Sequence, residues 1–354
     1  MSKLRVGIIG AAGYTGAELI RLIDAHPYLE LKFVAARENA GQRLDQVIRS
    51  TQGVDGLGEL MLERFEEGDA LQIGKKIDVA FTALPHAASA RLGGALLDAG
   101  VQVVDLSADF RLKDQALYEQ WYGQHPRPEL IPQAVYGLPE LYRSKLQGAQ
   151  LIAGPGCYPT SAILPLAPLI KGDLIELDQP LIVDGKSGLS GAGRKPAQGT
   201  LFAESGESMR AYKVAGQHRH TPEMEQELSV LGSQDWKVLF TPQLAPMIRG
   251  ILTTTYARVK AGVSAAQCRE AARDLLQGPL ISILPEDTLP DTLHVRGSGR
   301  AQIAYAIDDR TGLVLSIAAI DNLARGASSQ ALAAFNISRD YEEATGIPRL
   351  AQYP

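Results

Sequence analysis

Residues 7 to 19 read GIIGAAGYTGAEL, and the fold of the chain turns on how this stretch is parsed. Leu4 to Ile9 has the apolar density of a short buried strand. Leu19, Ile20, Leu22 and Ile23 recur at the spacing of one helix face. Between the two, Gly10, Gly13 and Gly16 stand in G-x-x-G-x-x-G spacing. A strand, a glycine turn and a helix in immediate succession make the first unit of an alternating β-α-β chain. Gly10 permits the tight turn, and Gly13 lets the backbone come close to a pyrophosphate. The helix start supplies N–H donors and the positive end of its dipole. The triplet alone also describes a bare tight turn, but its place at the first strand–helix junction favours a dinucleotide site. Ala12, Tyr14 and Thr15 fill the turn and are expected to line that site.

Further strand patterns follow in LELKFVAAR, IDVAFTAL and VQVVDLS, with a helical HAASARLGGALLDAG, closed by Gly100, before the last of them. LIAGPG reads as the last strand of this half. The alternation predicts a parallel, doubly wound sheet over roughly the first 150 residues. Beyond Cys157 the texture changes. SAILPLAPLIKGDLI is helical, while ILTTTYARVK, AQIAYAID and GLVLSIAAID are longer, partly alternating strands. They predict a mixed or antiparallel sheet in a second, α+β domain. A final helix at about Leu323 to Asn336 is expected to return to the first domain. The expected organisation is residues 1–156 plus about 323–354 for the cofactor domain and 157–322 for the substrate domain.

A chain of 354 residues with 45% hydrophobic and 21% charged residues has an ordinary globular balance, and its length suits two domains. A net charge of -5 gives no reason to expect nucleic acid or an anionic membrane as partner. No apolar run reaches the length of a membrane span, and no signal-peptide pattern precedes the first strand. Two widely separated cysteines, Cys157 and Cys268, suggest free thiols in a reducing cytoplasm rather than a disulfide framework.

The end of the second strand bears on the cofactor. VAAREN puts Arg37 where an NAD site usually offers a carboxylate to the ribose hydroxyls. Arginine suits a 2′-phosphate through paired, charge-assisted hydrogen bonds, which predicts NADP. Glu38 follows directly, so a solvated Arg–Glu pair is the other reading.

Cys157, in IAGPGCYPT, lies where a strand ends and a helix begins. N–H groups and the helix dipole stabilise a thiolate there. A free cysteine is more often a small buried hydrophobe. That reading suits Cys268 in AAQCREAARDLL, but not Cys157, because Gly154, Pro155, Gly156 and Pro159 are not core filler. Beside a nicotinamide site a thiolate suggests acyl chemistry through a thioester. A base is expected in GQHRHTPEMEQEL, where His218 and His220 flank Arg219. TPEMEQEL reads as a helix start with Thr221 as N-cap and Pro222 at the first helical position. Residues i and i+2 there do not share one direction, so a single histidine is expected to face the sulfur. No metal is expected, since no third ligand stands at a convincing local spacing.

Two further clusters suggest anion handling. DLSADFRL places Ser107 and Arg111 at the carboxyl end of a sheet strand, where α/β clefts lie. DGKSGLSGAGRK, with Lys186, Ser187, Gly188, Arg194 and Lys195, reads as a loop. It either exposes N–H groups to phosphate or nicotinamide or runs mobile on the surface.

The segments GAAGYTGAEL, DLSADFRL, YGLPEL, GPGCYPT, SGLSGAGRK, HRHTPE, PMIRGIL and DNLARGA run in order from Gly10 to Ala327. As a set they resemble the N-acetyl-gamma-glutamyl-phosphate reductase family of arginine biosynthesis. The resemblance implies a Rossmann domain plus an α+β domain that carries dimer or tetramer contacts. It also implies NADPH-dependent reduction of an acyl phosphate to the semialdehyde, with release of phosphate. By the same resemblance the nucleophile is Cys157 and the base lies in the HRH pair, with His218 favoured. Arg111 recognises phosphate, Arg219 helps hold the substrate and Asn322 meets the nicotinamide. Relatives often carry Ser where Ala12 stands and Gly where Ser329 stands. Aspartate-semialdehyde dehydrogenases place a catalytic histidine in a context similar to PMIRGILTTT, where this chain has Ile251. Other readings are a reductase of carrier-protein-bound acyl phosphates and a non-enzymatic NADP-binding sensor. The sensor would have no use for Cys157 together with the HRH pair.

Overall fold

The glycine turn joins β1 (Leu4–Ile9) to α1 (Tyr14–Asp24). The computed structural model describes residues 3–353. It divides into two units: Met1–Pro155 with Ala327–Ile347, and Gly156–Gly326 with Pro348–Pro354.

In the first unit β1 is joined by β2 (Leu29–Ala35), β3 (Leu62–Glu63), β4 (Val79–Thr82), β5 (Gln102–Asp105), β6 (Val135–Tyr136) and β7 (Leu151–Ala153). All pairs are parallel, in the order β3-β2-β1-β4-β5-β7-β6. Val6, Ile8, Val79, Phe81, Val103 and Val104 are fully buried. Burial on both faces is why these strands read as continuous apolar runs rather than alternating ones. The order reverses between β1 and β4, so the crevice at their carboxyl ends is the topological switch point, where doubly wound sheets bind ligands. α2 (Ala88–Asp98) follows β4. The final helix, Ser329–Ser338, is buried at every position, and Phe335 meets Phe81 edge-on.

That helix starts later than the sequence suggested, because residues 324–328 form a π-turn instead. The Asp321 carboxylate accepts the N–H groups of Leu323 and Ala324, and its carbonyl accepts that of Gly326. This closes a wider ring than an α-helix allows. The chain end also departs from expectation. The Pro348 carbonyl accepts the Gly299 N–H and the Gln352 N–H donates to Arg296, so residues 348–354 group with the second unit.

The second unit carries α3 (Cys157–Lys171), α4 (Thr221–Gly232) and α5 (Ala265–Leu275). Its strands are β8 (Leu181–Gly188), β9 (Arg210–Ala211), β10 (Val238–Ala245), β11 (Ile251–Arg258), β12 (Ile281–Ile283), β13 (Ala301–Asp308) and β14 (Leu313–Ile320). The sheet runs β12-β13-β14-β11-β8-β10-β9. β8/β10 and β12/β13 are parallel and the remaining pairs antiparallel. α3 packs on β11 and β14 and is buried from Tyr158 to Ile170. The other face of the sheet leaves Ile182 and Leu239 exposed. That asymmetry is the source of the alternation seen in β11.

The segment expected to be a loop from Asp184 onward is strand as far as Gly188, between β10 and β11. Its glycines answer to neighbours. A Cβ on Gly185 would lie 2.6 Å from Tyr158 Cε1, and one on Gly188 would lie 2.8 Å from the Ile248 carbonyl. No helix among the described residues is long and apolar enough to cross a membrane.

Candidate active site

The three glycines of the first turn serve different ends. Gly10 has φ +100°, and a Cβ there would meet the Ala83 carbonyl at 2.3 Å. A Cβ on Gly16 would meet Gly10 O at 2.5 Å. Gly13 is open: its Cβ would touch only Gly10 O, at 3.6 Å. Gly13 is also the N-cap of α1, with no side chain capping the helix and no acidic residue in its first turn. The positive dipole end is therefore uncapped by any side chain and the Gly13 Cα is open, which fits the diphosphate of a dinucleotide. Tyr14 is exposed there, and Ala12 and Thr15 are half-buried. Arg37 is exposed just past β2 and, among the described residues, forms no ion pair with Glu38.

The loop after β5 is braced by two buried carboxylates. Asp105 accepts the Thr82 hydroxyl (2.8 Å), the Ser107 hydroxyl (2.7 Å) and the Ser107 N–H (3.0 Å), and it also bonds the Ser89 hydroxyl. Burial, then the nearby charge of Asp109, pushes the Asp105 carboxyl above its ordinary range. Asp109 accepts N–H groups from Ala87 (2.9 Å) and Ala90 (2.7 Å) at the start of α2, and the Tyr118 hydroxyl at 2.7 Å. Ser107 therefore gives its hydrogen to Asp105 while its oxygen takes the Asp109 N–H, so its hydroxyl braces the loop. Arg111 is buried, with Nε on the Gly154 carbonyl at 2.7 Å and Nη2 on the Leu106 carbonyl at 2.9 Å.

In the second unit Cys157 is the first residue of α3, and Gly156 is the N-cap. Cys157 is half-exposed, whereas Cys268 is fully buried and its thiol is pushed up to about 11 by desolvation. Only Cys157 stands at a helix start. The Gly156 N–H donates to Glu223 Oε1 at 2.8 Å, and Glu223 is buried in the first turn of α4.

The HRH residues lie at the start of the same helix. Thr221 is not the N-cap. His220 holds that position with helical φ and ψ, because the Thr221 N–H already turns back onto the His218 carbonyl. The His218 ring is caged by Tyr158, Tyr212, Phe240 and His220, with ring centres 4.9–5.7 Å away. Burial, then the charges of Lys213 and Arg219, pushes His218 down to about 4. The His220 N–H donates to His218 Nδ1 at 3.1 Å, so the neutral ring carries its proton on Nε2. Such a ring can donate a hydrogen bond but is poorly equipped to take a proton from a thiol. Arg219 is exposed. Burial pushes the Tyr212 hydroxyl up to about 12 and Tyr158 higher still, and Tyr158 donates to the Gln243 carbonyl at 2.9 Å.

Ser187 and Gly188 do not present the exposed backbone donors expected of a loop. Ser187 is buried within β8, its hydroxyl bonds the Gly188 carbonyl, and the Gly188 N–H bonds the Gly250 carbonyl. Asn322 is buried too. Its Oδ1 accepts the Gly250 N–H at 2.7 Å and its Nδ2 donates to Ser190 Oγ at 2.9 Å, tying the chain after β8 to that before β11. Arg194 and Lys195 are exposed. Among the described residues no group of three or more His, Cys, Asp or Glu is placed to hold a metal. The sequence reading passed over Glu223, Asp109 and Gly326, each of which acts through a partner distant in the chain. Their only local signals were membership of HRHTPE, DLSADFRL and DNLARGA.

Residues 5–149 match the family model described as semialdehyde dehydrogenase, NAD binding domain, and residues 157–322 match semialdehyde dehydrogenase, dimerisation domain. Solved structures share the fold at low identity. An aspartate semialdehyde dehydrogenase II from Vibrio cholerae aligns with TM-score 0.72 at 16% identity, over 96% of this chain and 100% of that one. An aspartate semialdehyde dehydrogenase with NADP from Candida albicans aligns with TM-score 0.65 at 16% identity, over 95% of this chain and 100% of that one. Curated relatives are far closer in sequence. The N-acetyl-gamma-glutamyl-phosphate reductase of Magnetococcus marinus is 46% identical over 99% of both chains. That of Syntrophobacter fumaroxidans is 47% identical over 97% of this chain and 98% of its own. By that identity and coverage, the chain belongs to the N-acetyl-gamma-glutamyl-phosphate reductase family.

Proposed function

We propose that the protein reduces N-acetyl-gamma-glutamyl phosphate to N-acetylglutamate 5-semialdehyde and phosphate, with NADPH as reductant and Cys157 as nucleophile. The observation that carries the chemistry is the half-exposed Cys157 at the first position of α3, in the same unit as the HRH pair. The substrate comes from the close relatives that carry the reductase name over their full length.

The Cys157 thiolate attacks the acyl carbon, a C–S bond forms, and the C–O bond to phosphate breaks. Arg111 is assigned to the charge of the phosphate on the family's pattern. N–H groups around the start of α3 stabilise the oxyanion. Bound NADPH supplies hydride to the carbonyl carbon of the thioester. His220 gives a proton to the resulting hemithioacetal oxygen and takes it back as the C–S bond breaks, releasing the aldehyde and the thiolate. His218 was the favoured base in the sequence. Its low pKa and occupied Nδ1 count against that role and favour His220, with His218 as a hydrogen-bond donor. The first turn of α1 holds the diphosphate, and Arg37 is assigned to the 2′-phosphate.

The same reading includes a second copy of the chain on the open face of the second-unit sheet, where Ile182 and Leu239 are exposed. It places the reaction in the cytoplasm, where both thiols stay reduced. Sedimentation that shows only monomer would remove the oligomer.

The assay runs in reverse. Protein with NADP, phosphate and a panel of semialdehydes should form NADPH with N-acetylglutamate semialdehyde and not with aspartate semialdehyde. Turnover of the aspartate compound instead would overturn the substrate. Separate His220→Asn and His218→Asn variants test the base, and the His220 change should lower kcat by about 10²–10⁴-fold.

A further inference from the structure

Among the segments that carry the resemblance, DNLARGA holds a glycine, Gly326, that the reaction above does not use. Asp321 in this segment is completely enclosed. Its Oδ1 accepts the N–H groups of Leu323 and Ala324, both at 2.9 Å, and Arg249 Nη2 at 2.9 Å. Its Oδ2 accepts Arg249 Nε at 2.8 Å and the Gly297 N–H at 2.7 Å. A paired fork and three backbone donors on one carboxylate leave the turn that follows little freedom.

The Asp321 carbonyl accepts the Gly326 N–H at 2.8 Å, the i to i+5 bond of the π-turn. This brings the Gly326 backbone against the nucleophile. A Cβ on Gly326 would lie 2.7 Å from Cys157 Cβ and 3.2 Å from its Cα. Glycine is not required here by conformation, because φ at 326 lies outside the left-handed region and alanine could adopt the same backbone. What glycine contributes is a missing methyl. Packed carbon atoms settle at about 3.5–4.0 Å, so a methyl there would displace Cys157 by about 1 Å. Misplacing a reacting group by about 1 Å costs about 10²-fold in rate.

We propose that Gly326 is a positioning residue for Cys157: the π-turn held by Asp321 forms a wall behind the nucleophile, and the bare Cα at 326 sets where the sulfur stands. The inference rests on Cys157 being the nucleophile.

Three full-length variants test it in the reverse reaction: Gly326→Ala, Cys157→Ala and Gly232→Ala. Gly232, at the far end of α4, is as crowded as Gly326, since its Cβ would lie 2.5 Å from Trp236 Nε1. It serves as the control for plain overpacking. Gly326→Ala is expected to lower kcat by about 10²-fold. Its KM for NADP should be unchanged, and the alkylation rate of Cys157 by iodoacetamide should shift. Gly232→Ala should lower Tm and leave kcat alone. If Cys157→Ala keeps turnover, the reading of the function fails. If Cys157→Ala is inactive and Gly326→Ala keeps the wild-type kcat, the positioning role alone fails. An equal loss of kcat in Gly232→Ala, or a raised KM for NADP in Gly326→Ala, would mark general destabilisation and overturn the proposal.

Discussion

α1 and α3 both begin after a glycine, Gly13 before Tyr14 and Gly156 before Cys157, and in neither case does that residue supply a side-chain cap. Helix starts of this kind leave N–H groups and a positive dipole end to be used by something else. At α1 the position before the helix is open, since a Cβ on Gly13 would meet only the carbonyl of Gly10. Over α3 the protein fills the position itself. Glu223 takes the Gly156 N–H, Cys157 occupies the first helical position, and Gly326 closes in behind it. The same local device is thus left without a side-chain cap in one unit and carries a half-exposed cysteine in the other. The neighbours of each helix start, more than the helix itself, decide which.

The contrast breaks most sharply at the sulfur. Cys157→Ser keeps the helix start and the Glu223 bond but replaces a thiolate with a hydroxyl. Turnover in the reverse assay is expected to fall by roughly 10⁴-fold or more, with KM for NADP unchanged. Near-normal turnover would mean that α3 is not loaded with a nucleophile at all.

Next in size is the acid stability that comes from His218, which lies in its aromatic cage beside the filled start. The ring titrates at 6.5 when free and about 4 when folded, with burial as the main cause. The folded protein therefore binds fewer protons than the unfolded chain between those values. The neutral ring's contribution is complete above pH 6.5 and is lost as pH falls towards 4. At about pH 4.5 the loss amounts to about 2–3 kcal/mol. Urea unfolding near neutral pH and at about pH 4.5 should show wild type losing that much more than His218→Gln. Equal losses would show that the ring is already charged inside the fold.

How much could be read beforehand differs between the two helix starts. At α1 the strand, three glycines and helix lie within one short stretch, so the turn and the ligand it suggests could be read together. At α3 the cysteine and its glycine-proline frame were visible, but the groups that make the site were not. Glu223 meets Gly156 and Gly326 meets Cys157 across long stretches of chain, and no spacing rule reports such a meeting. β8 was misread for the same reason. Gly185 and Gly188 look like loop glycines until the Tyr158 ring and the Ile248 carbonyl are found where their side chains would be. The π-turn at 324–328 escaped because Asp321 imposes it from outside the helical period.

The open helix start is sharpened by a pair of glycine substitutions. Gly16→Ala would force a methyl to within 2.5 Å of Gly10 O and is expected to cost about 1–3 kcal/mol of stability. Gly13→Ala meets nothing closer than 3.6 Å and should leave stability within about 0.5 kcal/mol. Its methyl would nevertheless stand where the diphosphate approaches, so NADPH titration should show weaker binding. If Gly13→Ala binds NADPH normally, the space over α1 is not where the diphosphate lies.

The smallest expected effect is at Arg37, and it tests whether the open site distinguishes the two dinucleotides. The side chain is exposed and has no ion pair with Glu38 among the described residues, so its charge is available but screened by solvent. Charge-assisted hydrogen bonds to a phosphate contribute about 1.5–3 kcal/mol when well made, and exposure puts Arg37 at the low end. Arg37→Ala should therefore lower kcat/KM for NADPH by about tenfold and leave the value for NADH unchanged. The ratio of the two is the measurement, because a change in folding or in the thiol site would move both together. If both fall in step, Arg37 does not read the 2′-phosphate, and the discrimination has to come from residues nearer the turn, such as Tyr14 and Thr15.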